Sequence, residues 1–143
     1  MKILKLIFPF AAVLLAGCGT DIEPTQGELR AAWESTNVAP LNYKSDILAF
    51  MRSYLNDPTQ VRDGAVSAPV HKTLPGDPGE RIVSCLRFNA KKSDGTYAGV
   101  KVGVVVYGSG KLDRFLDSPK TAKTVCDGAA YEPFPELGRL TRQ

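Results

Sequence analysis

Few side chains in this sequence could do acid–base chemistry. His71 is the only histidine, and a general acid or base there needs an orienting partner and a concave site. It stands beside Lys72 at the head of a stretch, 71–80, whose prolines and glycines read as a loop, so a solvated loop residue is expected. Asp113 and Asp117 fall on one face of an expected strand and could pair as carboxylates for hydrolysis. Four strand positions separate them by roughly 13 Å, beyond the roughly 5 to 9.5 Å that glycosidase pairs use. A charged face that blunts an edge strand is the better account. Gly108-Ser109-Gly110 has the composition of a phosphate loop, but a strand follows it rather than a helix, so no row of helix amides would hold the anion. It reads as a hairpin turn. Gly-x-Ser-x-Gly, His-Glu-x-x-His and Cys-x-x-Cys do not occur. No catalytic residue, metal site or bound cofactor is assigned, and the chain is read as non-enzymatic.

The cysteines carry more. Lys2 and Lys5 precede an apolar run from Leu6 to Leu15, followed by the small residues Ala16 and Gly17, which is the layout of a signal peptide. The run is shorter than the about 20 residues a spanning helix needs, and Pro9 interrupts it. Leu15-Ala16-Gly17-Cys18 resembles the lipobox of bacterial lipoproteins. The resemblance implies removal of residues 1–17, a diacylglycerol on the Cys18 thiol and an acyl chain on its freed amine. The thiolate is the one good nucleophile available for that alkylation. Gly19 stands where lipoproteins kept at the inner membrane often carry Asp, so the resemblance also implies transport to the outer membrane. Each buried methylene is worth about 0.8 kcal/mol, so two or more chains hold the protein stably without spanning anything. Cys85 and Cys126 remain as an even pair in an oxidising compartment, and a disulfide is expected. It would close a loop of about 40 residues, worth roughly 4 kcal/mol by chain entropy. Two buried free thiols or half of a metal site are the alternatives, and one histidine with two distant cysteines lacks zinc-ligand spacing.

The elements that must position these residues follow from periodicity. Residues 18–26 are the lipidated cysteine and a polar tether. Thr25 and Glu28 have capping-box spacing, and Leu29, Ala32 and Trp33 recur at i, i+3 and i+4, which predicts a short helix with Trp33 pinning it to the domain. Pro40 and Asn42 open a second helix over 43–56, with Ile47, Leu48, Met51, Tyr54 and Leu55 as its apolar stripe and Asn56-Asp57-Pro58 as its stop. Strands are then expected over 61–70, 81–91, 97–107 and 111–117, with Asp94-Gly95 turning one hairpin and Gly108–Gly110 the next. Val100, Val102, Val104 and Val106 share one strand face, which the second helix is expected to cover. The fold class is α+β: a meandering antiparallel sheet of three to four strands, one amphipathic helix on one face, and a short N-terminal helix. Residues 27–143 form one small domain, with 131–143 a polar, proline-rich tail whose start Cys126 staples to the sheet.

Lys91, Lys92 and Tyr97 cluster near the tip of the first hairpin, where an aromatic flanked by positive charge could serve as a contact patch; the structural account is turn chemistry alone. Three segments in this order, Tyr54-Leu55-Asn56-Asp57-Pro58, Cys85-Leu86-Arg87-Phe88-Asn89-Ala90-Lys91 and Gly95-Thr96-Tyr97-Ala98-Gly99, resemble a group of small Gram-negative envelope proteins, many with lipoboxes. The whole chain is similar to small outer-membrane lipoproteins of alpha-class bacteria, some acting at the cell surface in contacts between cells. Family members commonly carry asparagine where Lys92 stands. The resemblance implies an envelope location and no chemistry.

The formal charge of the chain is +3. Two of those lysines belong to the signal segment, so the mature chain is near neutral, with both signs interspersed. That leaves no stripe to neutralise a row of phosphates, and nucleic acid is not an expected partner. The expectation is therefore an outer-membrane-anchored lipoprotein, surface-exposed or periplasm-facing, that presents a small domain to a protein or cell-surface component. The alternative is a periplasm-facing accessory subunit for outer-membrane assembly or cell-wall binding. Oligomeric state is not read from the sequence.

Overall fold

The computed structural model describes residues 22–142. Cys18, the expected signal segment 1–17 and the start of the expected tether lie outside the described residues.

Thr25 Oγ1 accepts from the Glu28 amide at 3.3 Å while the Glu28 carboxylate accepts from the Thr25 amide at 2.8 Å. That reciprocal box opens helix α1, Gln26–Thr36. No residue of α1 is buried, and Leu29 is 48% exposed, so the expected apolar stripe does not pack. Trp33 does the pinning by side chain: its indole donates to the Glu80 carbonyl at 2.9 Å, and the Arg81 guanidinium lies 4.8 Å from its ring centre. Just beyond the helix, the Asn37 side chain donates to the same carbonyl and accepts from the Ile82 amide.

Helix α2, Tyr43–Tyr54, buries Ile47 and Met51 completely, and Leu55 leaves it in an extended conformation before Pro58. The chain then enters the sheet at once. Strand β1 is Asp57–Ser67 and β2 is Val70–Thr73; both pair antiparallel with β3, Glu80–Lys91, as one strand bent at Ala68-Pro69. Register shifts in β1 coincide with left-handed backbone at Gln60 and Asp63, each at φ 55. Strand β4, Lys101–Gly108, follows β3, and β5, Lys111–Leu116, follows β4. Helix α3, Pro119–Val125, crosses back, and β6, Tyr131–Pro133, adds to the free side of β1. The strand order is β5-β4-β3-β1-β6, with β2 on β3, and all pairings are antiparallel.

The class is α+β, but the sheet has six strands rather than three or four. The two extra strands arise where the sequence carries no alternation. All of β2 is exposed, and β6 is three residues long with a proline on an edge. The third strand begins at Lys101, not at Tyr97, which makes only an isolated bridge to Lys91.

A larger correction concerns the faces. Val104 and Val106 pack with Val83, Cys85, Ala122 and Val125 under α3, not under α2. Helix α2 covers the opposite face, formed by Leu86, Phe88, Val105 and Tyr107. Central strands buried on both sides read as a continuous apolar run, and alternation inside such a run does not say which face a given helix takes. Val100, the fourth expected member of the even face, is 56% exposed ahead of the strand.

The polar tail is also corrected. Phe134 and Leu137 are fully buried and Leu140 is 6% exposed, all in the core beneath α2. They surround a 3-10 turn, Pro135–Arg139, and their spacing of three matches its period. The disulfide forms: Cys85 and Cys126 are joined, with Cα atoms 5.8 Å apart. Cys126 is the C-cap of α3, so the bond staples that helix to the sheet rather than the start of the tail.

Candidate binding cleft

The residues singled out for chemistry are dispersed. His71 lies in β2 opposite Ile82, exposed on a strand and not in a loop. Asp113 accepts from Arg81 Nη2 at 3.0 Å, while Asp117, past the end of β5, accepts from the Tyr54 hydroxyl at 2.9 Å. The two carboxylates serve different partners. Gly108-Ser109-Gly110 is a hairpin turn, with Ser109 at φ 50 and Gly110 at φ 74, the left-handed pair that suits the twist of the flanking strands.

At the first hairpin, the Asp94 carboxylate accepts from the Thr96 amide at 2.9 Å and its hydroxyl at 2.6 Å. Asp57 and Thr59 repeat that geometry with the same two distances. Tyr97 donates from its hydroxyl to the Gln60 carbonyl at 2.8 Å, and the Arg62 guanidinium stands 4.0 Å from its ring centre. The Lys91 ammonium, 5.7 Å from the same ring, donates to Gln60 Oε1. Lys91 and Tyr97 are thus brought together, with Gln60 and Arg62 as partners the sequence did not point to. Lys92 makes no contact with the Tyr97 ring and is exposed at the turn. Tyr97 braces the hairpin against β1, its polar tip already engaged.

The concave site lies elsewhere, where β4 outruns β5. The last pair between them is Val104 with Leu116, so Lys101, Val102 and Gly103 extend past β5 with one ladder edge open. The chain turns away at Asp117; Ser118 caps α3 and Pro119 opens it. A cleft of about 660 Å³ results, walled by the start of β4, the end of β5, α3 and the last turn of α2. Phe115 and Phe88 form its floor, with ring centres 6.4 Å apart, and Tyr54 meets Phe115 edge-on at 5.1 Å. The position of Phe115 depends on Gly103: a Cβ there would come within 2.1 Å of the ring.

Ala122 and Cys126 line the wall on the α3 side, and the disulfide ties that wall to β3. Burial raises the Tyr54 hydroxyl above its ordinary range, and the Asp117 carboxylate it donates to adds to the effect. A smaller hollow of about 250 Å³ adjoins the cleft across Phe88 and Lys101 and is edged by Lys91 and Lys92. The arrangement can hold an apolar body on aromatic faces, with lysines alone edging the adjoining hollow and Asp117, Lys123 and Asp127 on the side toward α3. Volumes of this size are those of small-molecule sites.

The sequence reading missed this site because its parts come from four elements, and because Ser118-Pro119, a helix start signal, went unused. Among the described residues, no group of three or more His, Cys, Asp or Glu side chains could hold a metal ion. No described helix is long and apolar enough to cross a membrane. Comparison with protein-family models, with curated proteins and with solved structures finds no match to this chain.

Proposed function

We propose that this chain is a lipid-anchored binding module of the bacterial outer membrane, non-enzymatic, which presents its α+β domain to a protein or cell-surface component through the cleft beside Phe115. The observation that carries this reading is the cleft itself, preformed by Gly103 and Phe115 and braced by the Cys85–Cys126 bond. The lipobox-like Leu15-Ala16-Gly17-Cys18 supports the anchor, and a disulfide suits an oxidising compartment. The motifs around Asp57, Asn89 and Gly99, which resemble those of small Gram-negative envelope proteins, support an envelope location.

Photo-crosslinking in intact cells tests the reading. A photoreactive amino acid at Val102, inside the cleft, is expected to give a discrete adduct, and one at Lys72, on the β2 edge, none. Adducts only from Lys72, or from neither position, would remove the cleft from the function. Metabolic labelling with a fatty acid is expected to mark the protein through Cys18 and to fail in Cys18→Ser. Protease added to intact cells then separates a surface-exposed domain, which is cut, from a periplasm-facing one, which is protected.

A further inference from the structure

We infer that the occupant of the cleft is a single-chain amphiphile with an anionic head, its apolar chain lying on Phe88, Phe115 and Val102 and its head held by Lys91, Lys92 and Lys101. This rests on the cleft being the recognition surface and names the chemistry of its ligand.

Charge placement makes the case. The only charged side chains edging the smaller hollow are three lysines. Among the described residues, none of the three lies within ion-pair distance of a carboxylate. Lys91 donates to a neutral amide, Gln60 Oε1, and its cation leans on the Tyr97 ring. Lys92 acts on Asp94 only at longer range. That carboxyl is held low first by Thr96, whose amide and hydroxyl bind it within its own turn. Three lysines without an ion-pair partner, all edging one hollow beside an apolar surface, form a site that an anion completes.

The apolar part argues for one chain. Phe88 is buried in the floor, and the half-buried Phe115 and Val102 present carbon to the cleft without a polar group to match. Toward α3 the lining carries Asp117 and Asp127 beside Lys123, a mixed set that offers no uncompensated cation to a second anionic group. Three alternatives fit less well. A peptide strand would find only the three-residue edge Lys101–Gly103 to pair with, a short ladder for strand addition. A cationic amphiphile would face the lysines. Nucleic acid would need a longer row of cations than three.

The test uses the full chain in neutral phosphatidylcholine nanodiscs, with methyl-labelled valine and alanine read by NMR. The probes are decanoate and decyltrimethylammonium, which share an apolar chain and differ in head charge. Decanoate is expected to shift the methyls of Val102 and Ala122 saturably, with the cation binding there at least about tenfold more weakly. The pair Lys92→Ala and Lys101→Ala, both exposed, is expected to weaken decanoate by about tenfold while leaving the core methyls of Val104 and Val105 unmoved.

Equal binding of the two probes would overturn the anionic head and leave the cleft as a binding surface. Absence of any cleft shift with decanoate, beside a protein adduct from Val102 in cells, would overturn the ligand class alone. Absence of both would overturn the inference and the reading beneath it.

Discussion

Tyr107 lies wholly inside the protein beneath α2, and its hydroxyl makes no hydrogen bond among the described residues; nor do Ser84 Oγ and Asp46 Oδ2. Burial pushes the Tyr107 hydroxyl well above its ordinary range; the Ser84 hydroxyl stands near enough to offset part of this but does not meet hydrogen-bond geometry. A buried hydroxyl without a partner costs free energy that a phenyl ring of the same outline avoids. Tyr107→Phe should therefore leave stability unchanged or raise it by about 1 kcal/mol in urea melts, and a loss of that size would show that the hydroxyl is satisfied.

Asp57 is the opposite case. Thr59 first, then Arg142 at 3.2 Å, hold its carboxyl down to about 2. Its folded value lies below the roughly 3.9 of an unfolded chain. The stabilisation it contributes is thus present above about pH 4 and lost as pH falls toward 2. Asp57→Asn should melt below the native protein at pH 6, with the gap closing as the pH is lowered to 2. A constant gap would mean that the carboxylate charge does not matter there.

Among the elements, those with strong local chemistry were legible. The capping box at Thr25, the stripe of Ile47 and Met51, the Asp94-Gly95 turn and the cysteine pair each carry their own physical signal. The partner of each face was not legible. With Val104 and Val105 both buried, no alternation remained to show that α3 takes one face and α2 the other. The cleft was hidden for a related reason, since Phe88, Val102, Phe115 and Ala122 converge only once β5 stops short of β4.

The C-terminal segment was misread because its prolines dominate its composition, while Phe134, Leu137 and Leu140 carry a period of three that helix and strand templates pass over. This gives a direct test. Leu137→Ala should cost about 2 to 5 kcal/mol, as for a fully buried leucine, whereas a solvated tail would lose almost nothing. Urea denaturation of the two proteins separates those outcomes. Gly64 and Gly138 belong to the same packing, since a Cβ on either would stand within 3 Å of a carbonyl oxygen across the contact.

For the molecule as a whole, the joint that matters is the one between α1 and the sheet. Helix α1 is the first described element and buries none of its residues. It touches the domain through the Trp33 indole, through Asn37, and through the Thr36 carbonyl that accepts from the Ser109 amide at 2.6 Å. An 11-residue helix is marginal in isolation, so these contacts must hold it folded as well as docked. Arg81, over the Trp33 ring, also bonds Asp113, and lies 3.9 Å from Asp77, which in turn binds Arg114. The dock is thus backed by a charge network on the sheet, not by the core. Local opening of α1 should cost far less than global unfolding.

Trp33→Ala should leave the sheet's unfolding midpoint nearly unchanged while the amides of 26–36 lose their protection in hydrogen exchange. On the proposed lipid anchor, release of α1 would add an unfolded 11-residue segment to the leash, and the helix would no longer set the domain's pose over the membrane. If Trp33→Ala instead lowered the protection of β3 and β4 along with α1, the helix would belong to the same cooperative unit as the sheet, and the domain could not swing independently of it.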